Sequence, residues 1–247
     1  MCGRYAQTAD MRELVEQFSV TGTTPTDALP YNWNIAPTSP IYVVRAQDKS
    51  GKDLEQKRAL AVLSWGLVAP WLSDLQEARA SQSRAINARS ESIFEKPTFR
   101  DAFRSSRCLI PATGYYEWAT ALGKYPPKQP FYISSRDDKQ LSIAGIWSSW
   151  RAPNDEIIET ASIITQEAQG DLESIHSRMP VFMPEDRWSS WLDPKNTDVS
   201  ELRSLMVVEN PEAIVRAYPV SNSVNSVANN GKALIIEVPL GEPETLF

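Results

Sequence analysis

Between Thr8 and Phe18 the apolar positions Met11, Leu14, Val15 and Phe18 fall at the spacing of a single helix face, and Thr8 or Asp10 stands where an N-cap belongs. Thr21 to Pro30 is rich in Thr, Pro and Gly and reads as loop. Beyond it the apolar residues gather in short runs. Ile41-Tyr42-Val43-Val44 and Ala59 to Trp65 predict strands, with the charged stretch Asp48 to Lys57 as the hairpin tip between them. Gly66 to Ser83 has no clear period and predicts a long irregular excursion, whereas Pro97 to Phe103 predicts a short helix with Pro97 in its first turn. Further strands are expected at Cys108 to Pro111, Tyr115 to Trp118, Phe131 to Ile133, Leu141 to Trp147 and Ala161 to Thr165. Helices follow at Pro184 to Leu192 and Val199 to Val207, and a final strand at Ala233 to Ile236. No internal repeat or interdomain linker interrupts the series. The fold class it predicts is α+β, as one domain over residues 2–238 with a tail at 239–247.

Composition narrows the function classes. The 247 residues can bury a core, and eight Trp with eighteen Pro favour short strands and structured loops. No apolar run is long enough to span a bilayer and no charged leader precedes Cys2, so a cytoplasmic protein without membrane attachment is expected. Two cysteines, Cys2 and Cys108, cannot build a disulfide framework, and the lone His176 with no CxxC predicts neither a metal nor a cofactor. A net charge of −6 argues against holding duplex DNA by bulk electrostatics. It leaves room for a narrow Arg- and aromatic-lined groove that takes a single strand.

The sharpest chemical signal is Cys2. Removal of Met1 would leave a thiol and an α-amine on adjacent carbons, with reference pKa values of roughly 8.5 and 7.7–8.0. Such an aminothiol condenses with an aldehyde to a Schiff base and closes to a five-membered thiazolidine. The same residue could instead attack an amide with its own amine as base. A cysteine at this position can also be incidental.

Four other segments place reactive side chains among Gly, Pro and aromatic residues. Asn87, Arg89 and Glu91 share one face if that run is extended, although a solvated strand edge looks the same. Glu117 is wedged in Gly114-Tyr115-Tyr116-Glu117-Trp118, where burial would raise its pKa toward neutrality; a surface carboxylate is the alternative. His176 sits beside Arg178 in Ile175-His176-Ser177-Arg178-Met179-Pro180, as a proton carrier or as a hydrogen-bonded structural residue. Pro219 to Asn225 alternates polar side chains, as an ordinary Asn/Ser turn also does.

With Cys2-Gly3-Arg4-Tyr5, the segment from Tyr31 to Pro37, Trp65 to Trp71, Asn87 to Glu91, Gly114 to Trp118, Ile175 to Pro180 and Pro219-Val220-Ser221, the chain resembles the SOS-response-associated peptidase (SRAP) family from Cys2 to about Val238. The resemblance implies a curved, mainly antiparallel β core flanked by short helices. It also implies binding of single-stranded DNA and covalent crosslinking to abasic sites during the DNA damage response. The peptidase name reflects release of the family's own N-terminal segment. On this resemblance Cys2 is the crosslinking residue, Asn87 holds it and the opened sugar, and Glu117 and His176 manage protons. Loss of the β-phosphate from the imine would give a lyase side activity. Arg4, Arg89 and Arg178 would contact phosphates, Pro37 and Trp71 would support bases, and Asn34, Trp118 and Thr165 join the DNA-binding set. Leu72 follows Trp71 where relatives often carry a second Trp, which weakens stacking on that side. The partner implied is single-stranded DNA bearing abasic sites, met by a monomer.

Two rivals predict something else. An N-terminal-nucleophile amidotransferase also begins Cys-Gly, but it needs further Gly/Asp and Asn/Gly segments of which no convincing set is found. A non-catalytic reader of a modified base would leave Cys2 incidental.

Overall fold

The computed structural model describes residues 2–47, 56–120 and 125–240. In chain order its strands and helices are β1 (Arg4–Gln7), α1 (Met11–Gln17), β2 (Asn32–Ile35), β3 (Pro40–Ala46), β4 (Arg58–Trp65), α2 (Leu75–Arg84), β5 (Asn87–Arg89), α3 (Pro97–Ser105), β6 (Arg107–Ala112), β7 (Gly114–Trp118), β8 (Pro130–Ser135), β9 (Leu141–Arg151), β10 (Ile157–Glu167), β11 (Arg178–Pro180), α4 (Trp188–Leu192), α5 (Val199–Leu205) and β12 (Val215–Pro219). The expected α+β class is therefore present. Short 3-10 turns complete it at 170–174, 185–187, 211–214, 222–225 and 232–235.

Two sheets share the core. One runs β12-β8-β7-β1-β2, with every pairing antiparallel. In the other, β10, β4, β3, β6 and β9 follow one another and β9 pairs back onto β10, closing a small barrel. Among the described residues the parallel pairings are those of β10 with β4 and with β5. Strand β10 pairs with β9 from Ile157 to Ile163 and with β4 at Thr160 and Ala161; further along, Ile163 to Thr165 pairs with β5 and Thr165 to Glu167 with β11. This overhang carries the short strands that bear Asn87, Arg89 and Arg178.

The barrel strands are buried on both faces, which explains why they read as continuous apolar runs. Ile41 and Val43 of β3 face one core cluster with Tyr5, Trp65 and Cys2, whereas Tyr42 and Val44 face a second with Leu14, Phe18 and Trp188. At Gly145 a Cβ would meet Ile110 Cδ1 at 2.8 Å and Cys108 Sγ at 2.9 Å, so β9 can cross β6 there only without a side chain.

Local rules account for the helices. Asp10 caps α1 reciprocally: its side chain accepts from Glu13 N at 2.8 Å, and the Glu13 carboxylate accepts from Asp10 N at 2.7 Å. Pro97 opens α3 at a position whose N–H would be unbonded anyway.

The structure corrects two expectations. The excursion after Gly66 contains α2, whose ten residues bury only Ala78 and so show no apolar stripe; Asp74, accepting from Gln76 N and Glu77 N, was its signal. Ala233 to Ile236 is not a strand, because residues 232–235 form a 3-10 turn with Leu234 buried and Ile236 turned out to solvent. The hairpin tip expected at Asp48 to Lys57 falls mostly outside the described residues, although β3 and β4 pair through Ala46 and Arg58 at its base. Residues 241–247 of the expected tail also lie outside them.

Arg107 ties helices to barrel. It is buried, and its guanidinium donates to the carbonyls of Trp191, Phe103, Arg104, Asp193 and Asn196, terminating α3 and α4 together. Burial lowers its pKa to about 10, with Asp193 opposing. Lysine cannot serve five carbonyls from one nitrogen. Arg107→Lys should lower stability by about 3 kcal/mol in urea unfolding; a change below roughly 1 kcal/mol would remove this role.

Candidate functional site

β1 begins two residues after Cys2 and lies between β2 and β7, so the amino-terminal segment is part of a sheet. Arg4 pairs with Tyr116 and Tyr5 with Tyr115; continuing that register backward sets Gly3 beside Glu117. Cys2 is 1% exposed and joins the cluster of Tyr5, Trp65 and Tyr115, where Tyr5 meets Trp65 edge to face at 5.3 Å. Asn87 Nδ2 donates to the Cys2 carbonyl at 2.8 Å. Ala88, fully buried, fixes β5 against β10, and the Asn87 Oδ1 atom is buried with no hydrogen-bond partner among the described residues, an acceptor in reserve beside Cys2.

Burial pushes the Cys2 thiol well above its ordinary pKa, and the Glu117 charge adds to the effect; the terminal ammonium and the backbone N–H of Arg4 oppose it. Cys2 is therefore held as a thiol. Glu117, on β7, is 4% exposed, and burial raises its pKa to about 7 against the pull of the terminal ammonium. His176 Nε2 lies 3.7 Å from Glu117 Oε1, longer than a direct hydrogen bond. The His176 loop is fastened to the end of β7 by Thr120 N donating to Ile175 O at 3.0 Å. Its Nδ1 accepts from Arg178 N at 3.0 Å, so the neutral ring carries its proton on Nε2, toward Glu117. Burial and the terminal ammonium lower the His176 pKa. Near neutral pH this is a carboxyl poised at its midpoint beside a neutral imidazole.

Cys2, Asn87, Glu117 and His176, far apart in sequence, are thus brought together. The expected DNA contacts divide. Arg89 and Trp71 are exposed, and Pro37 is half-buried before Thr38, whose φ is +71°. Arg4 and Asn34 point into structure instead. Arg4 Nη1 donates to Asn34 Oδ1 at 2.8 Å and to Val224 O at 3.1 Å, while Asn34 Nδ2 donates to the carbonyls of Val224, Ser226 and Asn229. They hold the 221–230 loop against β1 and β2. Trp118, half-buried, donates to Asn225 Oδ1 at 2.7 Å. Thr165 is fully buried, its carbonyl accepting from Ser90 N and Arg178 Nη2. Trp71 adjoins Leu72, which packs with Trp150 and Ile158 at the other end of β10 from Thr165.

Sequence reasoning placed Glu91 on a face with Asn87 and Arg89, but β5 ends at Arg89 and Glu91 sits in the following turn. There it meets Arg178 with two hydrogen bonds, of 2.7 and 3.0 Å. Asn225, Ser226 and Asn229 were also missed as partners of Trp118 and Asn34; the polar alternation after Pro219 was the available signal. Cys108 is fully buried on β6 and outside the site, and burial raises its thiol strongly. No group of three or more metal-ligating side chains exists among the described residues, and no helix of the described residues is long and apolar enough to cross a membrane.

The buried Cys2 thiol, gripped through its carbonyl by Asn87, thus lies in one site with a near-neutral Glu117 and a neutral His176. The chain belongs to the SOS response associated peptidase (SRAP) family, whose family model matches residues 1–227. It is 34% identical over 235 residues to the abasic site processing protein YoqW of Bacillus subtilis, covering 95% of this chain and 99% of that one. It is 30% identical to the abasic site processing protein HMCES of Mus musculus, over 81% of this chain and 62% of that one. A crystal structure of a protein from Bacteroides thetaiotaomicron shares the fold, with a TM-score of 0.81 at 24% identity, covering 96% of this chain and 100% of that one.

The raised Glu117 pKa has a stability consequence. The folded state holds this proton more tightly than the unfolded chain, whose value is near 4.5, so the stabilisation is full below that pH and is lost as pH rises through about 7. Glu117→Gln cannot ionise. Its stability relative to the parent should improve by about 3 kcal/mol between roughly pH 4 and pH 8.5, read from thermal melts; a pH-independent difference would contradict the assignment.

Proposed function

We propose that this protein, after loss of Met1, captures the ring-opened aldehyde of an abasic site in single-stranded DNA as a thiazolidine on Cys2. The observation that carries the proposal is the grip of Asn87 on the Cys2 carbonyl, at 2.8 Å, beside the Glu117–His176 pair. The abasic-site names of its relatives support the same target.

The chemistry follows from the protonation states. An abasic sugar opens when a proton leaves its C1′ hydroxyl and another reaches the ring oxygen, a transfer suited to a carboxyl with a pKa of about 7. Hydrolysis of the Met1–Cys2 amide, by whatever agent, turns the Cys2 nitrogen into an amine. That amine adds to C1′, the carbinolamine hydroxyl takes a proton and leaves as water, and an imine remains. The Cys2 sulfur then bonds to C1′, its proton passes to a base, and the former imine nitrogen gains one. Because burial keeps the sulfur protonated, the amine acts first in this scheme, and the thiol proton is assigned to the ionised form of Glu117, whose charge acts on the Cys2 thiol. If instead a C2′ proton is removed from the imine, the 3′ phosphate departs and the strand is cut. This is the lyase branch of the same intermediate.

The parent should give a band with a single-abasic oligonucleotide that survives heat and detergent, and intact mass should show Met1 gone from the protein in it. Cys2→Ala should give no such band and Cys108→Ala should give as much as the parent. Glu117→Gln or His176→Gln should slow band formation by roughly tenfold to hundredfold while native binding persists. Native binding by the parent without any denaturation-resistant product would refute the mechanism.

A further inference from the structure

Two arginines flank Asn87 and His176, and the protein treats them differently. Arg89 is exposed, and among the described residues no ion pair or side-chain hydrogen bond holds it. Arg178 is already occupied. Its Nη1 and Nη2 reach Glu91 Oε1 and Oε2 at 2.7 and 3.0 Å, Nη2 also reaches Thr165 O at 2.8 Å, and Nε is buried. The side chain of Arg178 is 11% exposed and that of Glu91 50%.

This two-point fork is the arrangement by which an arginine also grips a phosphate, so the carboxylate and a DNA phosphate compete for the same donors. Glu91 is held in the competing position. Ser90 N donates to Thr165 O at 2.8 Å and Ser92 N to Arg89 O at 3.1 Å, which fixes the turn that presents it. Burial alone would raise the Glu91 pKa, but its hydrogen bonds from Arg178 keep it below the ordinary value, so the carboxylate stays charged at neutral pH. Being half in water, it can be rehydrated when a phosphate takes its place.

We propose that Glu91 is a built-in phosphate competitor that withholds Arg178 from intact single-stranded DNA, leaving Arg89 to make the first contact and Arg178 to join by exchange. The proposal rests on the DNA reading above. Its consequence is weak binding to undamaged strands at a site whose covalent step supplies the retention.

The test is equilibrium binding of the full chain to an intact oligonucleotide, which has no aldehyde to trap, across a salt series. Glu91→Gln should bind about fivefold more tightly, and its plot of log affinity against log salt should steepen by about 0.7, the share of one added phosphate contact on a single strand. Glu95→Gln removes a nearby exposed charge without touching Arg178 and reports the long-range effect alone. The extra gain should vanish in Arg178→Gln/Glu91→Gln. A gain no larger than that of Glu95→Gln, or one that persists without Arg178, overturns the exchange while leaving DNA binding intact. Absence of oligonucleotide binding by every form overturns the DNA reading and the exchange together.

Discussion

The placement of β1 between β2 and β7 is the constraint on which the site depends. Chain ends usually fray, because nothing offsets the entropy of ordering them. Here the first strand starts at Arg4 and hydrogen-bonds on both sides, so Cys2 has no slack in which to wander. The same sheet brings Glu117 alongside through β7, and the overhang of β10 delivers Asn87 on one flank and the strand after His176 on the other. Asn87 and Glu117 are thus set by strand pairing, and His176 by the loop that leads into β11. Such pairing tolerates little drift, which on the proposed function suits an amine and a sulfur that must reach one carbon in turn.

The electrostatics follow from that burial. Burial penalises the charged form of each group, and all three respond in the direction that makes them neutral: the Cys2 thiol and Glu117 are raised, against the pull of the terminal ammonium, and His176 is lowered. For Glu117 the shift ends near physiological pH, where a carboxyl both gives and takes protons. For Cys2 it ends far above. On the proposed function, sulfur then acts only after a base receives its proton, which sets the order of amine first and thiol second.

Much of the fold was legible because its strands are short, apolar and bounded by Gly, Pro and Asn. What escaped was structure without an apolar signature. α2 is almost wholly solvated and was marked only by its Asp74 cap, while Leu234 and its neighbours are an apolar run too short to distinguish a strand from a turn. At the site, residue identity was legible and role was less so. Cys2, Asn87, Glu117 and His176 are chemically distinctive types, and the structure gathers them. Arg4, Asn34 and Thr165 share motifs with exposed residues, yet their side chains face inward, a distinction set by tertiary partners such as Val224 and Asn229 that no local pattern encodes. The Glu91–Arg178 pair spans 87 positions and had no local signal at all.

Those inward-facing residues change how the protein must select its target. The net charge is −6, and two of the three arginines expected at phosphates are engaged within the fold, Arg4 on the 221–230 loop and Arg178 on Glu91, which weakens the hold on a strand by charge alone. A protein that gripped phosphates strongly would be distributed over all exposed single strands, since backbone contacts carry no information about a missing base. On the proposed function, discrimination moves from binding to bond formation, because an intact nucleotide offers no aldehyde for the amine of Cys2. Weak reversible contact then serves selectivity: the protein leaves undamaged sites quickly, and only a sugar that can open to a carbonyl converts an encounter into a lasting adduct.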